Sequence, residues 1–455
     1  MESVAQIAEI LQTVFGEQAE SLAKRTGFIK RYRVGKVTGA NFAMSLVFGW
    51  LQEATIRLDG LTQVMQRCEV NISASGLSQR FTPEAGAFMN QILEQLTQSH
   101  LQGQRPETRL LKPFSAVIVE DSSTITLPAE LASIWKGCGG TGCNSGASMK
   151  IFVRWDVLRG ELMGPRFAEG RTNDHKSPFA DVELPAGSLY LSDLGFFGVS
   201  KLAALDHGIT GQKRYFVSRL HPGTWVTTAS GHHLDLKAIG PKEVGGMIDL
   251  GVRLGKQEQM PVRLIMLRVP DEAVKERRQA IREAAQSQGR QASEALLVLA
   301  KWTIVVSNIP RHLVSTQEMV VLLRLRWQIE RLFRLWKEYG YIDEWRTKNR
   351  WRILCEIAGK LCAMVIQQWL IHEGCWQDAE RSVFKAAGVV RREANRIMVA
   401  LIEGGLIKVL QAIRRAMRSG CRLQKRVKEP STAQLLEMGL NWPVQVWMDD
   451  AQEWA

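Results

Sequence analysis

Ala116-Val-Ile-Val-Glu-Asp-Ser-Ser-Thr-Ile-Thr-Leu127 is rich in β-branched residues, which predicts a strand. Its apolar start runs into two acids, Glu120 and Asp121, and then into hydroxyl residues. Adjacent strand residues point to opposite faces, so these two carboxylates cannot share one. The same composition recurs downstream. A Gly-rich loop at 137–146 precedes two predicted strands, 150–158 and 161–169, joined by the turn Arg159-Gly160. Ser188-Leu-Tyr-Leu-Ser-Asp193 reads as a fourth strand, leading into a helix at 198–207 and a fifth strand, Arg214-Tyr-Phe-Val-Ser-Arg219. Trp302-Thr-Ile-Val-Val-Ser307 returns to the apolar style. Three strands followed by strand, helix and strand predict a mixed α/β sheet.

Outward from this centre the pattern turns helical. Residues 1 to about 105 carry apolar positions at helical spacing, at 41–55 and 82–101. Between them Val70-Asn-Ile-Ser-Ala-Ser-Gly-Leu-Ser-Gln-Arg80 offers Ser73 or Ser75 as a cap, with Gln79 and Arg80 projecting from the first turns of the helix. That suits a helix-turn-helix with its second helix in the major groove, and equally an ordinary pair of capped helices. Residues 222–300 read as a β-rich insertion holding the charged helix 271–290. Ser315 caps a long helix running to about Tyr339, and the chain is helical beyond 345, with a basic stretch at 408–428 and acids at its end.

The chain has 455 residues, 45% of them hydrophobic, enough for a core and about two to four domains. A net charge of +13 points to a polyanionic partner without choosing among DNA, RNA and an acidic membrane. Lys24 and Arg25 follow a mildly acidic amphipathic stretch, the reverse of the order in a secretory signal. The apolar run 295–307 is broken by Lys301 and the run 361–371 by two glutamines, so neither is expected to span a membrane. A cytoplasmic protein is expected. Seven cysteines, with Cys138 and Cys143 in the Gly-rich loop and no second close Cys or His pair, fit reduced thiols rather than a zinc set.

Phosphodiester chemistry commonly uses two divalent metals held by a few carboxylates from separate elements. Asp121 lies within the first strand and Asp193 ends the fourth, where loops open to solvent. Either one alone reads equally as an aspartate capping the next element. Glu330 sits on the long helix, four residues after Arg326 and seven before Lys337. At about 100° per residue the three share an arc of roughly 40°, apart from the apolar stripe Leu322, Ile329, Phe333 and Trp336. An Arg–Glu salt bridge on a solvated helix would give the same spacing.

Arg326-Trp-Gln-Ile-Glu330 with Trp336-Lys337 resembles the Y-R-E-K signature of bacterial insertion-sequence transposases of the IS-four family. Asp193-Leu-Gly-Phe-Phe197 is similar to their second-aspartate block, and Val117-Ile-Val-Glu-Asp-Ser-Ser-Thr124 to their first. The spacing suits the family too, with 72 residues from Asp121 to Asp193 and 137 from there to Glu330. The likeness is good over roughly 110–345 and only general in style outside it. The family's tyrosine would fall at Leu323, which removes one hydroxyl contact to phosphate.

The resemblance implies an RNase H-like fold: an α/β mixed sheet with a β-rich insertion, flanked by N-terminal and C-terminal helical regions. Its parts would be a DNA-end-binding domain at 1–108, a catalytic domain at 109–221 and 301–345, the insertion at 222–300, and a dimerisation or DNA-contact region at 346–455. Asp121, Asp193 and Glu330 would be the catalytic metal ligands, for Mg2+ with Mn2+ able to substitute. Arg326 and Lys337 would hold phosphates. Trp302 stands where hairpin-forming members stack a flipped base, and Trp327 matches the tryptophan after the motif arginine. Core packing reads as well for both indoles. Glu120 and Glu183 could assist a metal, but Asp121 and Asp193 are the ones that match the blocks; His175 and the pair His232-His233 have no metal-ligand partners at useful spacing and are set aside as loop residues. The implied activity is cut-and-paste transposition by strand cleavage, hairpin formation and strand transfer. The implied partners are double-stranded DNA, as terminal inverted repeats and target, and a second copy in a paired-end homodimer, with no membrane. A nuclease without strand transfer, or a non-catalytic DNA-binding regulator derived from such an enzyme, are the rival readings.

Overall fold

The computed structural model describes residues 2–31, 36–99, 108–137, 146–207, 212–376 and 381–423. The Cys138/Cys143 loop, Lys425, Arg426 and the acidic C-terminal residues lie outside them. Among the described residues nine strands occur in chain order: β1 (Val117–Leu127), β2 (Ala147–Asp156), β3 (Glu161–Glu169), β4 (Leu189–Ser192), β5 (Tyr215–Arg219), β6 (Val226–Thr228), β7 (Met247–Leu254), β8 (Met260–Arg268) and β9 (Trp302–Ser307). The helices before the sheet are α1 (Glu2–Thr13), α2 (Ala19–Arg25), α3 (Gly39–Gln52), α4 (Leu58–Gln66), α5 (Ala74–Ser78) and α6 (Pro83–Gln98). Within and after it come α7 (Val199–His207), α8 (Leu236–Ile239), α9 (Asp271–Ser287), α10 (Glu294–Leu299), α11 (Thr316–Leu325), α12 (Trp327–Glu338), α13 (Arg350–Ile371), α14 (Val383–Glu403) and α15 (Leu406–Ser419).

The strands form one sheet in the order β3-β2-β1-β4-β5-β9-β8-β7-β6. Its first five members give the 3-2-1-4-5 order of an RNase H-like sheet, with β4 parallel to both β1 and β5 and β2 antiparallel to β3. The chain forms two compact units. One comprises Met1–Pro106, Ser122–Thr172 and Ile329–Lys425, and the other includes Glu107–Asp121 and Asn173–Gln328.

In the first unit β2 and β3 form a hairpin, and α13 packs against α3, α6 and α14. Gly359 of α13 lies against the Trp50 ring of α3, where a Cβ would come within 2.6 Å, so a larger side chain cannot be accommodated without moving one helix. One described helix, Arg350–Cys375, is long and apolar enough to cross a membrane, yet 94% of its apolar window is buried inside the protein. Within α13, Lys360 and Glu356 form a buried ion pair at 2.9 Å. The Lys360 ammonium also donates to the carbonyls of Tyr341 (2.8 Å) and Glu344 (2.7 Å), in the loop after α12. Burial pulls the Lys360 ammonium below its ordinary range, while Glu356 pushes it back up.

In the second unit the first four residues of β1 are buried, as expected of a central strand covered on both faces. The insertion strands are not a separate sheet: β8 pairs antiparallel with β9, which also pairs with β5. Buried Arg263 on β8 pins the chain leaving β9, donating to the carbonyls of Ile309 (3.0 Å) and Val314 (2.8 Å) and pairing with Asp249 at 2.6 Å. Burial pushes the Asp249 carboxyl up, but hydrogen bonds from Arg263, Arg311 and Thr316 outweigh it and hold the group below the usual range.

Two helix expectations change. Ser73 does cap a helix, accepting from the Gly76 amide at 3.1 Å, but α5 ends at Ser78. Gln79 is its C-cap, and Arg80 lies in the turn before Thr82, which caps α6 ahead of Pro83. Proline restricts the residue before it to extended backbone, so α5 ends before Thr82 and leaves Gln79 and Arg80 at its C-terminal end rather than in its first turns. The predicted helix 315–339 is interrupted at Arg326, giving α11 and α12, although Ser315 caps it as expected, with the Glu318 side chain accepting back from the Ser315 amide.

Candidate active site

Parallel pairing sets the geometry. Glu120 of β1 is in register with Ser192 of β4. One step further along both strands stand Asp121 and Asp193. Neighbouring strands lie about 4.8 Å apart, so the two aspartates stand side by side where the strands open. Both are half-buried. Asp193 stands at the N-cap position of a 3-10 turn, Leu194–Phe196, but its side chain makes no capping hydrogen bond. The capping role that its position in the sequence allowed is therefore not the one its carboxylate takes.

Glu120 faces the other way and is fully buried. Its carboxylate accepts from the Ser177 hydroxyl at 2.6 Å and the Tyr190 hydroxyl at 2.9 Å. Lys201 donates to the Tyr190 oxygen at 2.8 Å and lies over the Tyr190 and Phe196 rings. This network holds β1, β4 and α7 together directly behind the aspartate pair.

The turn after Asp193 has a second acid beside it. Asp174 Oδ2 lies close to Gly195, where a Cβ would approach it to 2.8 Å. A larger side chain at Gly195 would have to push the Asp174 carboxylate aside. The His175 ring packs near Gly198. Sequence reading passes over Asp174 and sets His175 aside as a loop residue, because the segment Asn173-Asp-His carries no pattern beyond that of a polar loop.

Glu330 is half-buried in the first turn of α12 and belongs to the first unit. Lys337, on the same helix, donates to the Thr124 carbonyl of β1 at 3.2 Å. Arg326 is buried, its guanidinium 5.8 Å from the Trp327 ring centre, and Leu323 is buried too. Among the described residues no group of three or more His, Cys, Asp and Glu side chains has metal-holding geometry. The aspartate pair by itself suits a hard cation, because Mg2+ is commonly bound by one or two carboxylates and keeps waters or phosphate oxygens elsewhere.

Trp302 is set differently from the base platform expected of it. It is 5% exposed, its indole N–H donates to the Pro241 carbonyl at 2.8 Å, and it covers Gly240, where a Cβ would meet the ring at 2.3 Å. Its face is covered by the protein itself. The open tryptophan of the insertion is Trp225, which sequence reading passed over because it stands outside the three acid blocks.

Residues 112–366 match the family model described as the transposase DDE domain. The transposase for insertion sequence element IS231B of Bacillus thuringiensis subsp. berliner is 26% identical, over 84% of this chain and 84% of its own length. The IS231C transposase of the same subspecies is 26% identical over 90% of each. The IS1151 transposase of Clostridium perfringens is 24% identical over 78% of each. A looser likeness, TM-score 0.46 at 12% identity, relates 93% of the chain to 86% of a piggyBac transposase solved by cryo-EM in a synaptic complex with hairpin DNA.

Proposed function

The chain belongs to the family defined by the transposase DDE domain, and on that premise we propose that it cuts an insertion sequence out of double-stranded DNA and joins it to a target. The observation that carries the proposal is the register of β1 with β4, which sets Asp121 beside Asp193. In this reading Asp121, Asp193 and Glu330 hold Mg2+, with Mn2+ able to substitute. When bound, the cations would supply an activated oxygen nucleophile and charge stabilisation for in-line displacement at phosphorus.

The protein's own residues position the DNA for that chemistry. Asp121 and Asp193 present their oxygens from strands fixed from behind by Glu120, Ser177 and Tyr190. Arg326 and Lys337 neutralise phosphates flanking the cut, and Trp327 packs beside the first of them. Water cuts one strand at the element end; the freed 3′-hydroxyl attacks the opposite strand and closes a hairpin; the hairpin is reopened, and the 3′-hydroxyls attack the target. No covalent bond between protein and DNA is needed. Two copies of the chain would pair the two element ends.

The test is cleavage of a labelled duplex carrying the element's own ends, taken from the DNA flanking the reading frame. The expected result is nicking followed by a hairpin in Mg2+, none in EDTA, and none with Glu330→Gln although that variant still binds DNA. Binding without cleavage by the wild type in Mg2+ or Mn2+ would replace the enzyme with a DNA-binding regulator.

A further inference from the structure

Three contacts in succession join the end of α13 to the end of α15. The turn His372–Trp376 that closes α13 is wound as a π-helix, a form that is rare and frequent at functional sites. From it the Glu373 carboxylate reaches the Arg414 guanidinium at 4.0 Å. Gly374 lies against Met417, where a Cβ would come within 2.5 Å of the side chain. Cys375 then meets Cys421, and a hydrogen bond joins the two thiols. Arg414, Met417 and Cys421 are three and four residues apart, the spacing of one face of α15 carried to just beyond its end. The meeting of the two sulfurs thus follows from the packing of the segments that carry them.

The backbone around Cys421 is held to the same place. Cys421 has a φ of +55°, in the left-handed region that a residue other than glycine takes only when its surroundings hold it there. Its carbonyl accepts from the Ser382 amide at 2.7 Å. The carbonyls on either side accept from cations, Gly420 from Arg381 at 2.9 Å and Arg422 from Lys385 at 2.7 Å. The sulfurs differ in access, since Cys375 is 5% exposed and Cys421 is half-buried. Burial pushes the Cys421 thiol up, while Arg381, Arg392 and Lys385 pull it back toward the thiolate. The other described cysteines stand apart from this pair. Cys355 and Cys362 are fully buried in α13, and Cys68 lies against Ser45 and the Met398 sulfur.

We propose that Cys375 and Cys421 are an oxidisable dithiol, which a hydroperoxide closes into a disulfide. The accessible Cys421 gives up its proton and attacks the peroxide. Its sulfur takes one oxygen and becomes a sulfenic acid, and the displaced hydroxide leaves with that proton as water. The Cys375 sulfur then attacks the sulfenic sulfur. The S–S bond forms, the S–O bond breaks, and the hydroxide leaves with the Cys375 proton as a second water. Two thiols and one hydrogen peroxide give one disulfide and two waters, the thiols supplying both electrons. Thiols already in contact need little movement to bond. The bond closes a loop containing α14 and α15, and so staples this helix pair to the end of α13. Such a cross-link restricts the unfolded chain and thereby favours the folded one. The site uses none of the residues assigned to cleavage.

The experiment treats the full chain with hydrogen peroxide, carrying Cys138→Ser and Cys143→Ser so that these two neighbours in sequence cannot exchange into the product. Remaining thiols are alkylated in urea, and the unreduced tryptic peptides are weighed. The expected product joins the Cys375 peptide to the Cys421 peptide, lighter than their sum by two hydrogens and released by dithiothreitol. With Cys375→Ser, Cys421 should stop at the sulfenic acid, which dimedone traps. With Cys421→Ser, Cys375 should stay reduced, because the peroxide does not reach it. Oxidation of the cross-linking protein should raise its melting temperature by a few degrees, and reduction should restore it. Oxidation of Cys421 to the sulfinic acid without a cross-link would overturn the pair. So would cross-links shared equally with Cys68, or a Cys421 that does not react at all. A cross-link that leaves the melting temperature unchanged or lower would overturn the staple.

Discussion

Removing the Glu120 carboxylate would leave the Ser177 and Tyr190 hydroxyls facing a buried gap. Glu120→Ala should therefore destabilise the protein by about 3 kcal/mol, read by urea unfolding. Asp193→Asn differs in kind: the side chain is half-open and makes no capping bond, so stability should hold while cleavage falls by on the order of 100-fold or more with DNA binding kept. His372 gives a pH signature. It is 6% exposed, and burial lowers its imidazole to about 4. The unfolded chain takes up that proton near the ordinary value of about 6.5, the folded one only near 4. Stability is then complete above pH 6.5 and is lost as the pH falls from there toward 4, by up to about 3 kcal/mol. Unfolding curves at neutral and mildly acidic pH should separate for the wild type and draw together for His372→Leu. At this scale the sequence exposed the aspartates because each ends or interrupts an apolar strand. It hid the state of Trp302, because a strand tryptophan has the same neighbours in sequence whether a base or the Gly240-Pro241 backbone covers its face.

Secondary-structure elements were legible where their signals are local. The Ser315 cap, the turn at Arg159-Gly160 and the strands at 188–193 and 214–219 follow from short-range chemistry. Removing the cap with Ser315→Ala should lower stability by about 1 kcal/mol. The short α5 was less legible because its end is decided by Thr82 and Pro83, which belong to the next helix. Lys360 illustrates a contact no local pattern announces, since its partners include carbonyls of the loop after α12. Lys360→Met should cost about 3–5 kcal/mol by leaving Glu356 buried and unpaired. Replacing both residues with apolar ones should recover most of that loss, and the pair of melting temperatures decides it.

For the whole molecule, the mixed sheet could be foreseen from the alternation of strands and helices, and its strand order could not. β9 inserts between β5 and β8 although about eighty residues separate β5 from β9, a long-range pairing with no sequence mark. The net charge of +13 sets another behaviour at this scale. Affinity for a paired duplex of random sequence should fall linearly with salt on a log–log plot, by a slope of about −0.9 for each phosphate neutralised. A flat plot would mean that the basic residues do not meet DNA.

The sheet ends in two unlike borders. One is β3, interrupted by Pro165, which has no N–H to offer; the other is β6, only three residues long. A long regular border invites strands from other molecules to add to it, and a newly made protein at high local concentration is the most exposed to that hazard. With one border short of a donor and the other too brief to template a neighbour, the nine-stranded sheet is guarded against fibrous self-assembly.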